Sequence, residues 1–338
     1  MAQGACETLK TEWNAVWAKE DISRWDYQSQ VVFNEIKSIV KDSVTDQCLK
    51  KLRPSLRGAF VFTVGRRSNL VFRLLRHFVA RNDESRRASY NTGLLQDFRS
   101  KDIAEFGSGT GRISKAISES GGRTTLLDSL EDVLRRSKRQ FAKNNIDGNF
   151  VVGAFPDLPI KSGRFDVVWN AGVIEHFSGD MLKESLLEMA RVCRDNGVVI
   201  TINPYSRSWL HAIGRGFMML YPSFPYKDEY PITTLKTALS CLGAGWTLRE
   251  YTAGFFTLFV GAFKRLSLFS GMRNICLGIF WVLSGAMCAL DRSFAGPIIR
   301  SLDRFLSKIF GGYVLISVFT PHKKSRRIND DISTVTRL

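Results

Sequence analysis

The stretch IAEFGSGTGR, at residues 103–112, places three glycines at alternate positions directly after a short apolar run. Glycine weakens regular structure, so this cluster indicates either a flexible loop or a tight turn whose backbone closely approaches something else. The flanking residues favour the turn. KDIAEFG has the pattern of a short buried strand, and RISKAISESGG has apolar residues at helical spacing before two glycines. The sequence therefore predicts strand, turn and helix, where a doubly wound α/β sheet holds a nucleotide-like ligand.

Composition limits the class of protein. The chain has 338 residues, 44% of them hydrophobic, enough for one large domain with appended segments or two smaller ones. Its six cysteines are scattered without a CxxC pair, which favours a reducing compartment over a disulfide framework, and no residues have metal-ligand spacing. The first residues lack the pattern of a secretory signal, so we expect a cytoplasmic protein. The net charge of +16 indicates an anionic partner: nucleic acid, a membrane surface or an acidic metabolite.

The spacing of the glycines separates two classes of cofactor. A dinucleotide fingerprint GxGxxG requires glycine at position 112, where this chain has Arg112. The acid Glu105, two residues before the first glycine, suits a cationic ligand rather than a phosphate. This acid-GxGxG pattern resembles motif I of the class I S-adenosylmethionine-dependent methyltransferases. The resemblance implies that S-adenosylmethionine binds at Glu105, Gly107, Ser108, Gly109 and Gly111.

A second acid follows the glycines at a meaningful distance. Residues Arg123 to Leu127 have the pattern of a strand, and Asp128 lies at its end, seventeen residues after Gly111. An acid about twenty residues after such glycines accepts hydrogen bonds from ribose hydroxyls in nucleotide-binding α/β folds. We therefore assign Asp128 and Ser129 to the cofactor site. The alternative is that one of them only N-caps the following helix.

The next two predicted strands are Phe150 to Val152 and Phe165 to Trp169, joined by a polar loop. In the methyltransferases that this chain resembles, an acid shortly after the first of these strands meets the adenine amine. The matching position here is Ala154, which departs from that pattern. Adenine would then be held by backbone groups and by stacking near Phe155, or by Asp157.

The segment FDVVWNAGVIEHF, at residues 165–177, resembles the fourth-strand signature of the ubiquinone-type and sugar-modifying small-molecule methyltransferases. The resemblance covers about residues 96–204. It implies that Asn170 and Ala171 pass beside the methionine part of the cofactor.

The same signature ends in Glu175 and His176, which the resemblance brings near the acceptor. Methyl transfer from a sulfonium is an in-line displacement that chiefly demands alignment and exclusion of water. A base is needed only where the acceptor loses a proton, and the imidazole of His176 titrates near neutral pH. A packing role for His176 and a loop-fixing role for Glu175 remain open.

The remaining pattern completes a doubly wound, mostly parallel seven-stranded α/β sheet. A helix capped by Ser178 or Asp180 is predicted to end at Gly197, before a strand at Val198 to Ile202; WTLREY and GGYVLISVFT supply the last two strands. The predicted organisation is as follows: residues 1–95, a helical N-terminal cap; 96–204, the cofactor-binding core; 205–251, an acceptor-recognition segment with strand six; 252–310, an apolar and basic helical insertion; 311–320, the last strand; and 321–338, a disordered basic tail.

Two segments outside the core carry surface predictions. The first is the N-terminal region, where Trp13, Trp17, Trp25 and Tyr27 form either core or part of an acceptor site. Residues 65–87 there have the pattern of a basic amphipathic helix, either on a membrane surface or simply solvated. The second is the insertion. Its longest uncharged stretch, residues 274–290, is shorter than the roughly 20 residues that span a bilayer. Basic residues interrupt its apolar runs, which favours helices lying on an anionic membrane over helices packed against the sheet or a second subunit.

The sequence thus predicts an S-adenosylmethionine-dependent methyltransferase that modifies an oxygen of a small or lipid-linked acceptor, such as a glycan sugar or a quinone-like ring. We expect the protein to be peripheral on the inner face of a membrane, with Tyr221, Phe224 and Tyr226 in a substrate lid. Two alternatives remain: a nucleic-acid methyltransferase that uses its positive charge on phosphates, and a catalytically silent adaptor that keeps the fold. The oligomeric state is left open.

Overall fold

The computed structural model describes residues 25–51, 98–209, 230–266 and 273–321, together with Ala212 and Gly216. Several predictions fall outside these residues: those for Trp13, Trp17, the basic helix at 65–87, the lid aromatics Tyr221, Phe224 and Tyr226, and the tail from residue 322.

The strands are β1 (Asp102–Phe106), β2 (Arg123–Asp128), β3 (Asn149–Val152), β4 (Phe165–Ala171), β5 (Cys193–Pro204), β6 (Trp246–Ala253) and β7 (Val314–Pro321). The helices are α1 (Tyr27–Lys51), α2 (Arg112–Glu119), α3 (Glu131–Lys143), α4 (Gly179–Val192), α5 (Lys236–Leu239), α6 (Phe255–Leu266), α7 (Arg273–Arg292) and α8 (Gly296–Phe310). Single turns of 3₁₀ helix lie at Ile174–His176 and Ser240–Leu242.

The seven strands form one sheet in the order β3-β2-β1-β4-β5-β7-β6. Strands β1 to β5 run parallel, and β7 enters antiparallel between β5 and β6. This confirms the predicted Rossmann-like methyltransferase fold. Because the carboxyl ends of parallel strands share one edge of the sheet, the segments that follow β1, β2, β3 and β4 meet there.

The start of β5 corrects one prediction. Helix α4 ends at Val192 and β5 begins at Cys193, so Gly197 lies inside the strand and does not end the helix. A Cβ atom on Gly197 would lie 2.6 Å from Sγ of Cys193 and 2.8 Å from the carbonyl oxygen of Asp166. The glycine is therefore needed for close approach of neighbouring strands, a requirement that the local pattern does not distinguish from a helix stop.

The predicted side-chain caps are also wrong. Helix α3 begins after Leu130 and α4 after Ser178, and neither start has a hydrogen bond from a capping side chain. Ser178 occupies the N-cap position of α4 without a side-chain bond, and Asp180 lies within that helix. The N-cap of α3 is Leu130, so the capping alternative for Asp128 or Ser129 is also not met.

Two apolar layers cover the sheet. On one face α1 packs over the central strands, with Ile36 and Val40 against Trp169, which is fully buried. On the other face α4 packs over β4 and β5 through Leu186 and Met189. The helix predicted to belong to an N-terminal cap is thus a layer of the core. The insertion forms α6, α7 and α8, which pack on one another, on α1 and on β6.

Candidate functional site

The glycine-rich segment after β1 is a tight turn. Gly107, Gly109 and Gly111 all have positive φ, at 62°, 49° and 63°. A Cβ atom on Gly107 would come within 2.4 Å of a methyl carbon of Val173, and one on Gly111 within 2.5 Å of a methyl carbon of Leu126. A larger residue would be strained in backbone and in contact, so the flexible-loop alternative is excluded.

Asp128, at the end of β2, stabilises this turn through a side-chain hydrogen bond. Its Oδ2 accepts a hydrogen bond from the amide of Gly109 at 2.9 Å, and its Oδ1 accepts one from the amide of Leu130 at 3.0 Å. The side chain is buried, and burial raises its pKa. Each carboxylate oxygen retains capacity for a further donor, so holding the turn and binding ribose hydroxyls are compatible roles. The ribose role itself stays a prediction.

Glu105 lies in β1 with its side chain fully buried below the turn. The hydroxyl of Ser114, on the first turn of α2, donates to its Oε2 at 2.5 Å. The pKa of Glu105 is raised to about 8, chiefly by burial and to a smaller extent by the charge of Asp128, against the lowering effects of the Ser114 hydrogen bond and the charge of Arg112. A cation placed beside this carboxyl would favour its ionised form. That environment fits the cationic ligand predicted from the position of Glu105.

Ser108 adds a polar atom without a partner. The residue is buried, and its hydroxyl oxygen has no hydrogen-bond partner among the described residues. Unsatisfied buried hydroxyls are uncommon and are often completed by a ligand. Ser108, Glu105 and Asp128 together offer hydroxyl and carboxyl groups around one glycine turn, as a ligand with a cationic group and hydroxyls requires.

The segment after β3 reaches the same edge. The amide of Gly153 donates to the carbonyl oxygen of Asp128 at 3.0 Å. Ala154 is exposed and pairs with Asp157 in an isolated bridge. The Phe155 ring packs 5.3 Å from the ring of Phe106 and 5.9 Å from that of Phe177, measured between centroids. Phe155 therefore joins the segments after β1, β3 and β4, and stacking of adenine near it stays a prediction.

The end of β4 carries Asn170 and Ala171. Asn170 is fully buried, and its Nδ2 lies 3.5 Å from Sδ of Met189 in α4. The Nδ2 of Asn170 thus faces the helix layer, while its Oδ1 has no hydrogen-bond partner among the described residues. Contact of Asn170 and Ala171 with the methionine part of the cofactor stays a prediction. The amide of Gly172 donates to the carbonyl oxygen of Ile202 at 3.0 Å and fixes where the loop leaves the sheet.

Glu175 and His176 lie in the 3₁₀ turn directly after this loop. Val173, just before them, is the residue that contacts Gly107. Glu175 is buried, and its carbonyl oxygen accepts a hydrogen bond from the amide of Tyr230 at 3.0 Å; His176 is half-buried. The loop that carries the predicted acceptor residues therefore touches the predicted cofactor turn through Val173. Their catalytic roles stay predictions.

Three residues that support the site were missed from the sequence. Ser114 donates to Glu105, the hydroxyl of Ser137 in α3 donates to the carbonyl oxygen of Gly109 at 3.3 Å, and Val173 fills the space opposite Gly107. Ser114 falls on the buried face of α2 with Ile117, so a polar residue on an otherwise apolar helical face was the available signal. The contacts of Ser137 and Val173 join distant segments and leave no local pattern.

Comparison with known proteins agrees with this geometry. Residues 103–197 match the family described as a methyltransferase domain. Over 124 residues the chain is 27% identical to the malonyl-[acyl-carrier protein] O-methyltransferase of Enterobacter lignolyticus (strain SCF1). That alignment covers 36% of this chain and 47% of the relative, so the chain spans about half the length of the curated relative that it matches.

Solved structures show weaker likeness. The magnesium protoporphyrin IX methyltransferase of Synechocystis PCC 6803, solved with bound S-adenosylhomocysteine, is 13% identical, with 50% of this chain and 79% of that chain covered at a TM-score of 0.37. The [4+2]-cyclase SpnF is 12% identical, with 72% and 84% covered at a TM-score of 0.41. These scores add nothing on activity. The family match and the described site support an S-adenosylmethionine-dependent methyltransferase domain of class I.

Proposed function

We propose that this protein transfers a methyl group from S-adenosylmethionine to an oxygen of a small or lipid-linked acceptor, such as a glycan sugar or a quinone-like ring. One observation carries the cofactor part of the proposal. Two buried carboxyls, Glu105 and Asp128, flank the glycine turn, and neither side chain is bonded to a basic side chain among the described residues. A buried carboxyl of this kind is stabilised by a cationic ligand.

Each residue of the site would have its own role in binding the cofactor. Glu105 would face the positive charge of the methionine part, and Asp128 would keep the glycine turn in place while it accepts hydrogen bonds from ribose hydroxyls. S-adenosylmethionine supplies, when bound, a methyl group made electrophilic by its sulfonium. Phe106, Phe155 and Phe177 would exclude water from this edge of the sheet.

The acceptor half rests on the loop after β4. In the proposed reaction the carbon–sulfur bond of the donor breaks as a carbon–oxygen bond to the acceptor forms, and the sulfur leaves as a neutral thioether. Where the acceptor is a hydroxyl, its proton passes to the imidazole of His176; an acceptor carboxylate releases none. Oxygen is favoured because the methyltransferase of Enterobacter lignolyticus is an O-methyltransferase, and because GVIEH resembles the signature of sugar- and quinone-modifying relatives.

The test begins with calorimetric titration of the full chain with S-adenosylmethionine and S-adenosylhomocysteine. Wild type should bind both, and Gly109→Arg should bind neither, because its side chain would occupy the turn. The matched control is Gly163→Arg. Gly163 also has positive φ, at 63°, but no atom lies within 4 Å of a Cβ built there, so this variant should bind like wild type. Folded wild-type protein that binds neither compound would overturn the enzyme assignment and leave the adaptor alternative.

Transfer of a labelled methyl group then identifies the acceptor class. Label should enter an organic-soluble or glycan fraction of a cell extract and should be released as an ether or ester. Label in RNA or DNA would overturn the proposed acceptor in favour of the nucleic-acid alternative. His176→Ala should lower the rate of transfer while it leaves the affinity for S-adenosylhomocysteine unchanged, since the proposed role of the imidazole is on the acceptor side.

A further inference from the structure

Helix α8 is oriented with its polar side inward. Asp303 and Ser307 are 5% and 1% exposed, and Asp303 accepts hydrogen bonds from the amides of Gly254 and Phe256 at 2.8 and 2.9 Å. The opposite side carries a stripe of exposed apolar side chains at helical spacing: Ile298, Leu302, Phe305 and Ile309. A surface helix of a soluble domain buries such a stripe and exposes its polar face. Here the arrangement is reversed.

Helix α7 has the same character. By length and composition alone, its segment Asn274–Arg292 could cross a membrane, since its mean hydropathy is 1.6. Only 28% of this apolar stretch is buried inside the protein. The outward side chains include Ile275, Ile279 and Leu290, and Val282 is 72% exposed. The core helix of a soluble protein with this composition would be mostly buried. We use the name apolar face for a set of exposed apolar side chains on α7 and α8, together with Phe294 between the two helices. Its members are Ile275, Ile279, Val282, Leu290, Phe294, Ile298, Leu302, Phe305 and Ile309.

The helices of the insertion carry a net positive charge. From α6 to α8 the chain carries two acids, Asp291 and Asp303, and both are buried. The basic residues are more numerous, and Lys264, Arg292 and Lys308 are exposed, with Arg292 bonded to Gln30 of α1. An apolar surface on positively charged helices is complementary to anionic lipid headgroups. A second copy of the chain would bring helices of the same charge together, so self-association is disfavoured.

The inward side of α7 is fixed to the protein. The amide of Tyr27, the first residue of α1, donates to Oγ of Ser284 at 2.7 Å, and Nδ2 of Asn34 donates to Oδ2 of Asp291 at 2.7 Å. Phe280 and Cys288 are buried in the same contact. A helix held along its length against α1 exposes one side, which suits a helix lying on a bilayer rather than crossing it.

We propose that the apolar face docks on an anionic phospholipid bilayer, with α7 and α8 along its surface. This inference rests on the proposed methyl transfer and specifies where a lipid-linked acceptor is met. The insertion leaves the sheet after β6 and returns at β7, and the end of β6 and the start of β7 pair at Ala253 and Val314, beside the carboxyl end of β5. Both ends of the insertion therefore lie at the sheet edge that carries the glycine turn, and in this proposal the docked bilayer lies on that side of the protein. A lipid-linked acceptor would reach the site without leaving the membrane.

Vesicle co-sedimentation of the full chain tests the docking. The probes are vesicles of phosphatidylcholine, with and without phosphatidylglycerol. Wild type should bind the anionic vesicles, and Val282→Glu with Phe305→Glu should weaken binding by about tenfold or more, because two charges enter the apolar face. The matched control is Leu187→Glu on α4, a residue 44% exposed and outside the apolar face, which should bind like wild type.

Three results would overturn the proposal. The first is absence of wild-type binding to anionic vesicles, and the second is equal binding by the double variant. The third is a dimer, stable in high salt and without vesicles, that the double variant dissociates, since a second copy would then cover the face. Titration of the same proteins with S-adenosylhomocysteine separates this failure from failure of the proposed function, because cofactor binding does not require the apolar face.

Discussion

The sheet edge and the helical insertion both bury carboxyl groups, but they treat the charge differently. At the edge, Glu105 and Asp128 accept hydrogen bonds from a hydroxyl and from backbone amides. Two buried carboxylates in and against the insertion are instead bonded to guanidinium groups: Glu35 of α1 to Arg304 of α8 at 2.9 Å, and Asp291 to Arg300 at 2.7 Å. A third, Asp303, is held by backbone amides. The two arginines supply the counter-charge of Glu35 and Asp291.

This difference separates holding a fold together from holding a ligand. A carboxylate paired with arginine is complete without a further partner, and removing the arginine leaves a buried charge. Glu105, held by a neutral hydroxyl, has a raised pKa, and a cation from outside would favour its ionised form.

The largest expected effect tests the glycines. Gly111→Val should lower the free energy of unfolding by about 3–5 kcal/mol, because it combines a β-branched residue at positive φ with a clash against Leu126. Gly278→Val on α7 should change it by less than about 0.5 kcal/mol, since no atom lies within 4 Å of its added Cβ. Denaturant titration measures both.

Should Gly111→Val fail to accumulate, Gly111→Ala should still lose about 1–2 kcal/mol. If substitutions at positions 111 and 278 lowered the free energy of unfolding equally, the sheet edge and α7 would not differ in their need for glycine at these two positions.

The next effect is the pH dependence of cofactor binding. The pKa of Glu105 is raised from 4.5 to about 8, so below pH 8 the free protein holds a proton that a cationic ligand must displace. Affinity for S-adenosylmethionine should rise by up to about tenfold per pH unit toward pH 8 and then level off. The ligand-free fold should lose stability over the same range, because a carboxyl with a raised pKa stabilises the folded state only while it is protonated.

Calorimetry in buffers of different ionisation enthalpy measures the released proton. The control is Glu105→Gln, which should bind more weakly and without this pH dependence. Wild-type affinity that is flat between pH 6 and pH 8 would contradict the assigned role of Glu105.

The smallest effect concerns the pairing of charge in the insertion. Arg304→Ala should cost about 1–3 kcal/mol of unfolding free energy. It leaves Glu35 without its guanidinium, but the arginine is 46% exposed, so solvent moderates the loss. The comparison variant Lys115→Ala breaks the exposed pair with Glu119 on α2 and should cost about 0.3–0.5 kcal/mol.

Both variants should bind S-adenosylhomocysteine like wild type. If Arg304→Ala abolished cofactor binding at unchanged stability, the two regions would not be the separate units that their chemistry indicates.

The sequence predicted the elements whose signal is local. The segment WTLREY predicts the strand that begins at Trp246. The glycines, Glu105 and Asp128 are assigned to one edge because strand, turn and helix follow directly in the chain. The helix end near Gly197 was misplaced because a glycine within a strand and a glycine after a helix look alike in sequence.

Contacts between distant segments were beyond local patterns. Asp128 accepts a hydrogen bond from the amide of Gly109, nineteen residues away. This contact depends on the register of β1 against β2, which the sequence does not show. The apolar and basic pattern of residues 252–310 predicts helices on a membrane surface, but it does not show which side of α8 packs against the protein. Asp303 and Ser307 take that side through hydrogen bonds to the amides of residues 254–256, which lie 47 to 52 positions away in the chain.

The position of β7 has a consequence for synthesis. It is the last of the seven strands along the chain, yet it pairs with β5 on one side and β6 on the other. On the ribosome, one edge of β5 and all of β6 lack a strand partner until Val314–Pro321 has emerged. The ion-pair partners Glu35 and Arg304 are likewise separated by 269 residues. Contacts so distant in sequence slow folding, and the waiting strands are open to pairing with other chains. A nascent chain stalled between β6 and β7 should therefore depend on chaperones more than the finished protein does.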